Sequence, residues 1–316
     1  MKPFRACVVQ AGSTLFDTPA TMAKLEALLG QAAAGDATFC VFPEAFIGGY
    51  PKGVHFGAPV GSRSPEGRDL FRRYFENAIS VPGDETDRIA QLAKANGVNI
   101  VVGVIERASC DEGGGSLFCT ALFFSNKGKL VGKRRKLMPT AAERVIWSQG
   151  DGSTLSAVDF DVARTGALIC WENFMPMARM SQYAQGIEIL CAPTVDDRDN
   201  WSALMRVAAL EGRCFVLSAN QYMRRDNAPA DYRPIQGDAP DTVLINGGSM
   251  IVSPLGEVLA GPVFGEETLL FADLDPADIA RGKMDFDVAG HYARADIFRL
   301  EIDKRSKYPV ADKEAE

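Results

Sequence analysis

Along the first half of the chain, apolar and polar positions switch between a short-run period and a helical one. Residues 4–10 form a compact apolar run that predicts a strand, and the Ala/Leu-rich segment 21–34 predicts a helix. A second strand is expected over 37–42, closed by Pro43-Glu44. Helices follow over 66–79 and 84–96. The latter has acidic residues in its first turn and Gly97 just past its end, which suits the helix dipole and a left-handed cap. The β-branched run 98–105 reads as a buried strand. Segments 119–125 and 130–136 read as a hairpin turning on Asn126-Lys127-Gly128-Lys129.

The second half repeats the pattern. Strands over 165–170, 187–192 and 214–220 alternate with helices over 174–185 and 201–211. A hairpin then pairs 249–252 with 257–260 around Pro254-Leu255-Gly256, and 269–273 completes the set. Together these predict a layered α/β protein with mixed, partly antiparallel sheets and helices outside. No linker divides the chain, so residues 1–300 read as one domain and 301–316 as a charged, frayed tail. Residues 223–246, rich in Asp, Pro, Asn and Gly, read as a long irregular or functional loop.

Composition narrows the function. The 316 residues are 47% hydrophobic and 24% charged, enough to bury a sizeable core, and the formal charge of −7 argues against nucleic acid or an anionic membrane as partner. No apolar run approaches the roughly 18 to 20 residues that span a bilayer, and the N-terminus has no secretion-signal pattern, so a cytoplasmic location is expected. Seven cysteines with no C-x-x-C pair fit a reducing compartment and indicate neither a redox motif nor a cysteine zinc site. No metal or cofactor is expected. Only His55 and His291 are available as histidine bases, both in Gly-rich or loop-like stretches, so a nucleophile here has reason to use a carboxylate instead.

Cys170 is the first candidate. It ends the apolar run Thr165-Gly166-Ala167-Leu168-Ile169 and opens into Trp171-Glu172-Asn173, the way a strand presents a nucleophile to a following turn. A free cysteine is more commonly a small buried hydrophobe, the reading adopted for Cys7, Cys40, Cys119, Cys191 and Cys214; Cys110 falls in a loop. Glu44 emerges from an apolar strand through Pro43, where burial would raise its pKa toward a useful general base. Lys136 ends a hairpin strand, and Glu143 follows Thr140-Ala141-Ala142. Taken singly, these three are equally readable as a solvated strand end, a basic surface patch and an exposed helix pair.

The combination resembles the nitrilase branch of the carbon-nitrogen hydrolase superfamily over nearly the whole chain. The resemblance rests on six ordered segments: 42–51 (FPEAFIGGYP), 135–140 with Glu143-Arg144, Cys170-Trp171-Glu172-Asn173, Ala192-Pro193-Thr194 with Asp196-Asp197-Arg198, Leu210-Glu211-Gly212-Arg213, and Gly290-His291-Tyr292-Ala293-Arg294. It implies a Glu44-Lys136-Cys170 triad with Glu143 as a second active-site glutamate. It also implies an αββα sandwich pairing as αββααββα in a homodimer or higher oligomer. The implied reaction takes an organic nitrile to a carboxylic acid and ammonia through a Cys170 thioimidate and thioester. Glu44 would move protons and Lys136 would stabilise the tetrahedral species. Alternatives that use the same triad are a cyanide- or amide-processing enzyme or a hydratase-like one; a silent scaffold is disfavoured because all four residues are present. Tyr50, Trp147, Trp171, Met175 and Thr194 are candidates to line the substrate pocket, although each aromatic also suits a core. One departure is Arg134, where that branch often carries histidine; it is expected to affect local packing or loop pairing.

Overall fold

The computed structural model describes residues 2–307. Its first strands are β1 (Phe4–Gln10), β2 (Phe39–Val41), β3 (Ile79–Ser80), β4 (Asn99–Arg107), β5 (Leu117–Ser125) and β6 (Lys129–Arg135). They are followed by β7 (Val158–Asp159), β8 (Arg164–Ala167), β9 (Ile189–Cys191), β10 (Phe215–Ser218), β11 (Tyr222–Arg224), β12 (Val243–Val252), β13 (Val258–Phe264) and β14 (Thr268–Leu274). The helices are α1 (Thr18–Ala34), α2 (Pro65–Asn77), α3 (Asp84–Asn96), α4 (Pro176–Tyr183), α5 (Asp199–Gly212) and α6 (Ala277–Gly282).

The strands form two mixed sheets of seven. One runs β14-β1-β2-β4-β5-β6 with β3 beside β4; the other runs β11-β12-β10-β9-β8-β7 with β13 beside β12. Strand alternation builds the layers. Ala6, Val8, Phe39 and Val41 of the first sheet meet Ile189, Cys191, Phe215 and Leu217 of the second in a shared core. Their neighbours Cys7, Val9, Cys40 and Phe42 point the other way, into a core with Leu25 and Leu29 of α1 and Ile89 of α3. Leu190, Ala192 and Val216 do the same for the second sheet, against Trp201 and Met205 of α5. A period of two, buried on both faces, leaves no solution but sheet on sheet with helices outside: an αββα sandwich.

Three boundaries differ from the sequence expectation for local reasons. Helix α1 begins at Thr18, because Asp17 accepts from the Ala20 N–H as a cap and Pro19 preorganises the first turn. Strand β8 stops at Ala167 rather than 170, since Cys170 has a left-handed φ of 51° that cannot continue a strand. The loop expected over 223–246 is shorter, because β11 and the start of β12 enter it. Asn246-Gly247-Gly248, which has turn chemistry, lies inside β12, where the register shifts between Gly247 and Ser249. Of the tail expected over 301–316, residues 308–316 lie outside the described residues. Before that limit, Lys307 donates its N–H to Asp151 Oδ2 at 2.8 Å.

Candidate active site

Glu44 arches off the first sheet just past β2. Its ladder continues through Phe42, which donates to Val101 O at 2.8 Å, and Pro43, whose carbonyl accepts from Gly103 N–H at 3.1 Å. Ile47 then rejoins it by donating to Gly103 O at 3.1 Å. The arch is braced from the second sheet's side by Gln221, whose Nε2 donates to Glu44 O at 2.8 Å. Lys136 is the first residue beyond β6 and donates its N–H to Cys119 O at 2.8 Å. Its Nζ donates to Glu44 Oε1 and to Glu143 Oε2, each at 2.7 Å. Glu143 sits in a 3-10 turn, Ala141–Val145, where Oε2 also accepts from Thr140 N–H at 2.6 Å and Oε1 accepts from Tyr50 OH at 2.8 Å.

Cys170 comes from the second sheet. Its N–H donates to Pro193 O at 2.9 Å, while Asn173 Nδ2 donates to Leu168 O at 2.8 Å and to Cys170 O at 2.9 Å. These bonds hold a cysteine in a left-handed conformation that ordinarily costs on the order of 1–3 kcal/mol, a sharp elbow of the sort that projects a nucleophile. Thr194 Oγ1 donates to Cys170 Sγ at 3.2 Å and itself accepts from Asp196 N–H at 3.0 Å.

Electrostatics follow from burial. Glu44, Lys136 and Cys170 are each no more than 3% exposed. Burial raises the Glu44 carboxyl above its usual range and the charge of Glu143 adds to this, while Lys136 pulls the other way. Burial alone would lower Lys136, but the surrounding anions, Glu44 first, hold it well above an ordinary lysine. Burial also pushes the Cys170 thiol up, reinforced by Glu44 and opposed by Lys136 and Thr194. The Cys170 thiol therefore rests neutral: the cation alone does not produce a standing thiolate, and attack by this sulfur would require a base to take the proton. Glu44 has an oxygen for that purpose: its Oε2 is buried and makes no hydrogen bond among the described residues. Its Oε1 receives the Cys119 S–H as well, at 3.6 Å. Cys119 had read from sequence as packing alone, since nothing in an apolar strand signals what its sulfur will touch.

A cavity of about 240 Å³ opens over the thiol. Tyr50 and Trp171 line it together with Lys52, Thr140, Glu143, Val195, Asp196, Asp197 and Arg198. Trp171 Nε1 donates to Asp196 Oδ2 at 2.9 Å, and Arg198 stacks 4.8 Å over the Trp171 ring while pairing with Asp196. Thr194 touches the sulfur rather than the cavity. Trp147 lines a neighbouring cleft of about 230 Å³ that shares Tyr50, Lys52 and Glu143, and its ring lies 5.5 Å from Lys136 Nζ. Met175 is exposed and lines neither cleft. His55 is exposed beside the second cleft and His291 is exposed near Tyr292. Among the described residues no cluster of three or more His, Cys, Asp or Glu is arranged to hold a metal ion.

Comparison with known proteins matches residues 5–284 to the carbon-nitrogen hydrolase family. The chain is 54% identical over 308 residues to "Nitrilase blr3397" of Bradyrhizobium diazoefficiens, covering 98% of this chain and 94% of that protein. It is 53% identical over 310 residues to an aliphatic nitrilase of Sinorhizobium fredii, covering 98% and 99%. It is 51% identical over 311 residues to the bifunctional nitrilase/nitrile hydratase NIT4B of Nicotiana tabacum, covering 97% and 88%. In fold it is similar to Saccharomyces cerevisiae Nit3, a member of branch 10 of the nitrilase superfamily, with a TM-score of 0.69 at 21% identity over 92% of this chain and 97% of that one.

Proposed function

The chain belongs to the carbon-nitrogen hydrolase family, and on that premise we propose that it is a nitrilase, hydrolysing an organic nitrile to the carboxylic acid and ammonia. The observation that carries the reading is the buried chain Glu143–Lys136–Glu44, joined by two 2.7 Å hydrogen bonds and backing a neutral thiol on a strained elbow. Glu44 takes the thiol proton as sulfur adds to the nitrile carbon, and passes it to nitrogen, giving a thioimidate on Cys170. Water adds to that carbon, the C–N bond breaks with release of ammonia, and a thioester remains. A second water cleaves the C–S bond, freeing the acid and returning the thiol its proton. Lys136 stabilises charge on the tetrahedral species, where a well-placed donor is worth about 3 to 4 kcal/mol. Glu143 orients Lys136 by accepting from its Nζ.

Expulsion of sulfur in place of ammonia from the first tetrahedral species would give an amide, a second outcome made pertinent by the bifunctional relative. The test is one panel of aliphatic, aromatic and arylacetonitriles, cyanide and amides, with acid, amide and ammonia all quantified. Acid and ammonia in equal amounts from a nitrile support the reading; faster ammonia release from amides than from matching nitriles sinks it.

An assembly also belongs to this proposal. Phe174 and Met175 just before α4, Met177 in its first turn, and Val207 and Leu210 on α5 are exposed apolar side chains, and the two helices pack together. They support a homodimer, or a higher oligomer, in which this helical layer meets its copy. The seven free cysteines, six of them buried, support a reducing, cytoplasmic setting. No helix among the described residues is long and apolar enough to cross a membrane.

A further inference from the structure

Arg134 does more than pack. It is 1% exposed and donates from Nη2 to Glu172 Oε1 at 2.6 Å, in an ion pair whose two side chains are both buried. The same Oε1 accepts the Leu137 N–H at 2.7 Å, and Oε2 accepts the Ile169 N–H at 2.7 Å. Leu137 is the residue after Lys136, and Ile169 is the residue before Cys170. The first lies two residues past the end of β6 in one sheet; the second lies two residues past the end of β8 in the other. One carboxylate therefore ties the backbone beside the cation to the backbone beside the nucleophile, across the seam between the sheets.

We propose that Glu172, neutralised by Arg134, is a positioning residue that sets the spacing of Lys136 and Cys170. The physical case rests on three charge-assisted hydrogen bonds made by one side chain that lacks any exposed surface. A buried carboxylate requires a partner charge, and Arg134 supplies it without occupying the two peptide N–H groups. Glutamine cannot substitute, because its NH₂ would face a donor. A misplacement of about 1 Å at such a site costs about 10²-fold in rate.

The test compares full-length parent with Glu172→Gln, Arg134→Lys, and the pair Arg134→Met with Glu172→Gln. Three quantities are read: the rate of Cys170 alkylation by iodoacetamide, followed by peptide mapping; kcat and KM on the best substrate of the parent; and the melting temperature. Glu172→Gln is expected to slow both alkylation and kcat by about 10²-fold with KM little changed. Arg134→Lys, which keeps the charge, retains the larger part of the parent rate. The paired variant, with no buried charge left alone, regains melting temperature while remaining slow. A folded Glu172→Gln that alkylates at the parent rate overturns the proposal, and so does a pair in which rate and melting temperature recover together. If Glu172→Gln does not fold, the pair decides by the same criterion. The inference rests on the hydrolase reading only for its turnover assay. Alkylation needs no nitrile, so slow alkylation of Glu172→Gln in a chain whose parent turns over no nitrile leaves the positioning role standing and removes the proposed activity.

Discussion

Gly103 of β4 lies flat against the backbone of Glu44: a Cβ at position 103 would fall 2.7 Å from the Glu44 Cα and 2.2 Å from the Pro43 carbonyl oxygen. Neither contact involves a flexible side-chain end. The proposed general base is thus seated on a glycine, and its distance from Lys136 depends on that close approach. Gly103→Ala is expected to lower kcat/KM by about 10²-fold through displacement of Glu44, and to cost on the order of 1–3 kcal/mol in stability. Steady-state kinetics beside chemical denaturation check both. Parent activity in a folded Gly103→Ala chain would show that Glu44 needs no such seat.

Cys170→Ala removes the sulfur from an elbow held by Pro193 O and Asn173, contacts that do not involve the side chain. Ammonia release should fall to background while the melting temperature stays close to the parent's. Intact-mass measurement during turnover should show an acyl adduct in the parent and none in this variant.

Thr194→Val keeps the shape of the side chain but removes the hydroxyl that donates to Cys170 Sγ and accepts from Asp196 N–H. Leaving that buried N–H unpaired costs about 1–3 kcal/mol in stability. A fall in kcat is expected with it, since the sulfur loses its donor. A variant with parent kcat and only the stability loss would confine Thr194 to a structural part.

The pH profile follows from the direction of the shifts. Glu44 must be deprotonated to act, and burial raises it above the ordinary glutamate value of 4.5, so activity should fall on the acid side at a higher pH than an unperturbed glutamate would give. Lys136 is held above its ordinary 10.5, so it stays charged through the working range and should contribute no alkaline loss below that value. A kcat/KM profile whose acid limb lies at or below 4.5 would mean that Glu44 is not the titrating base.

Much of this site could be read from residue order. Glu44 and Lys136 stand one to three residues beyond strands whose alternation is plain, and their pairing follows from the sheet that contains both. What the sequence does not reveal is which side chains meet between distant segments. Cys119 lies in a mostly apolar strand, yet its sulfur reaches Glu44 because β5 lies beside β4, which carries the Glu44 arch. Likewise, the end of β8 was placed three residues late because Leu168-Ile169-Cys170 stay apolar while the backbone has already turned. In the 223–246 stretch, glycines that bulge a strand looked the same as glycines that end one.

Met177→Glu places a charge on an exposed apolar side chain at 67% exposure beside Phe174. On the proposed assembly it should shift the protein from oligomer to monomer in light scattering, with the melting temperature of the monomer little changed. An unaltered mass would remove this face from the assembly.

The base and the cation come from one sheet and the sulfur from the other, with residues 44 and 136 preceding residue 170 in the chain. During synthesis Glu44 and Lys136 leave the ribosome before the nucleophile does, and the thiol emerges without its partners around it. Until the halves close, Cys170 is an ordinary cysteine with no chemistry of its own. Reactivity is in this sense a property of completed folding, and titration of Cys170 with a nitrile-like electrophile would report what fraction of a refolding population has joined its two sheets.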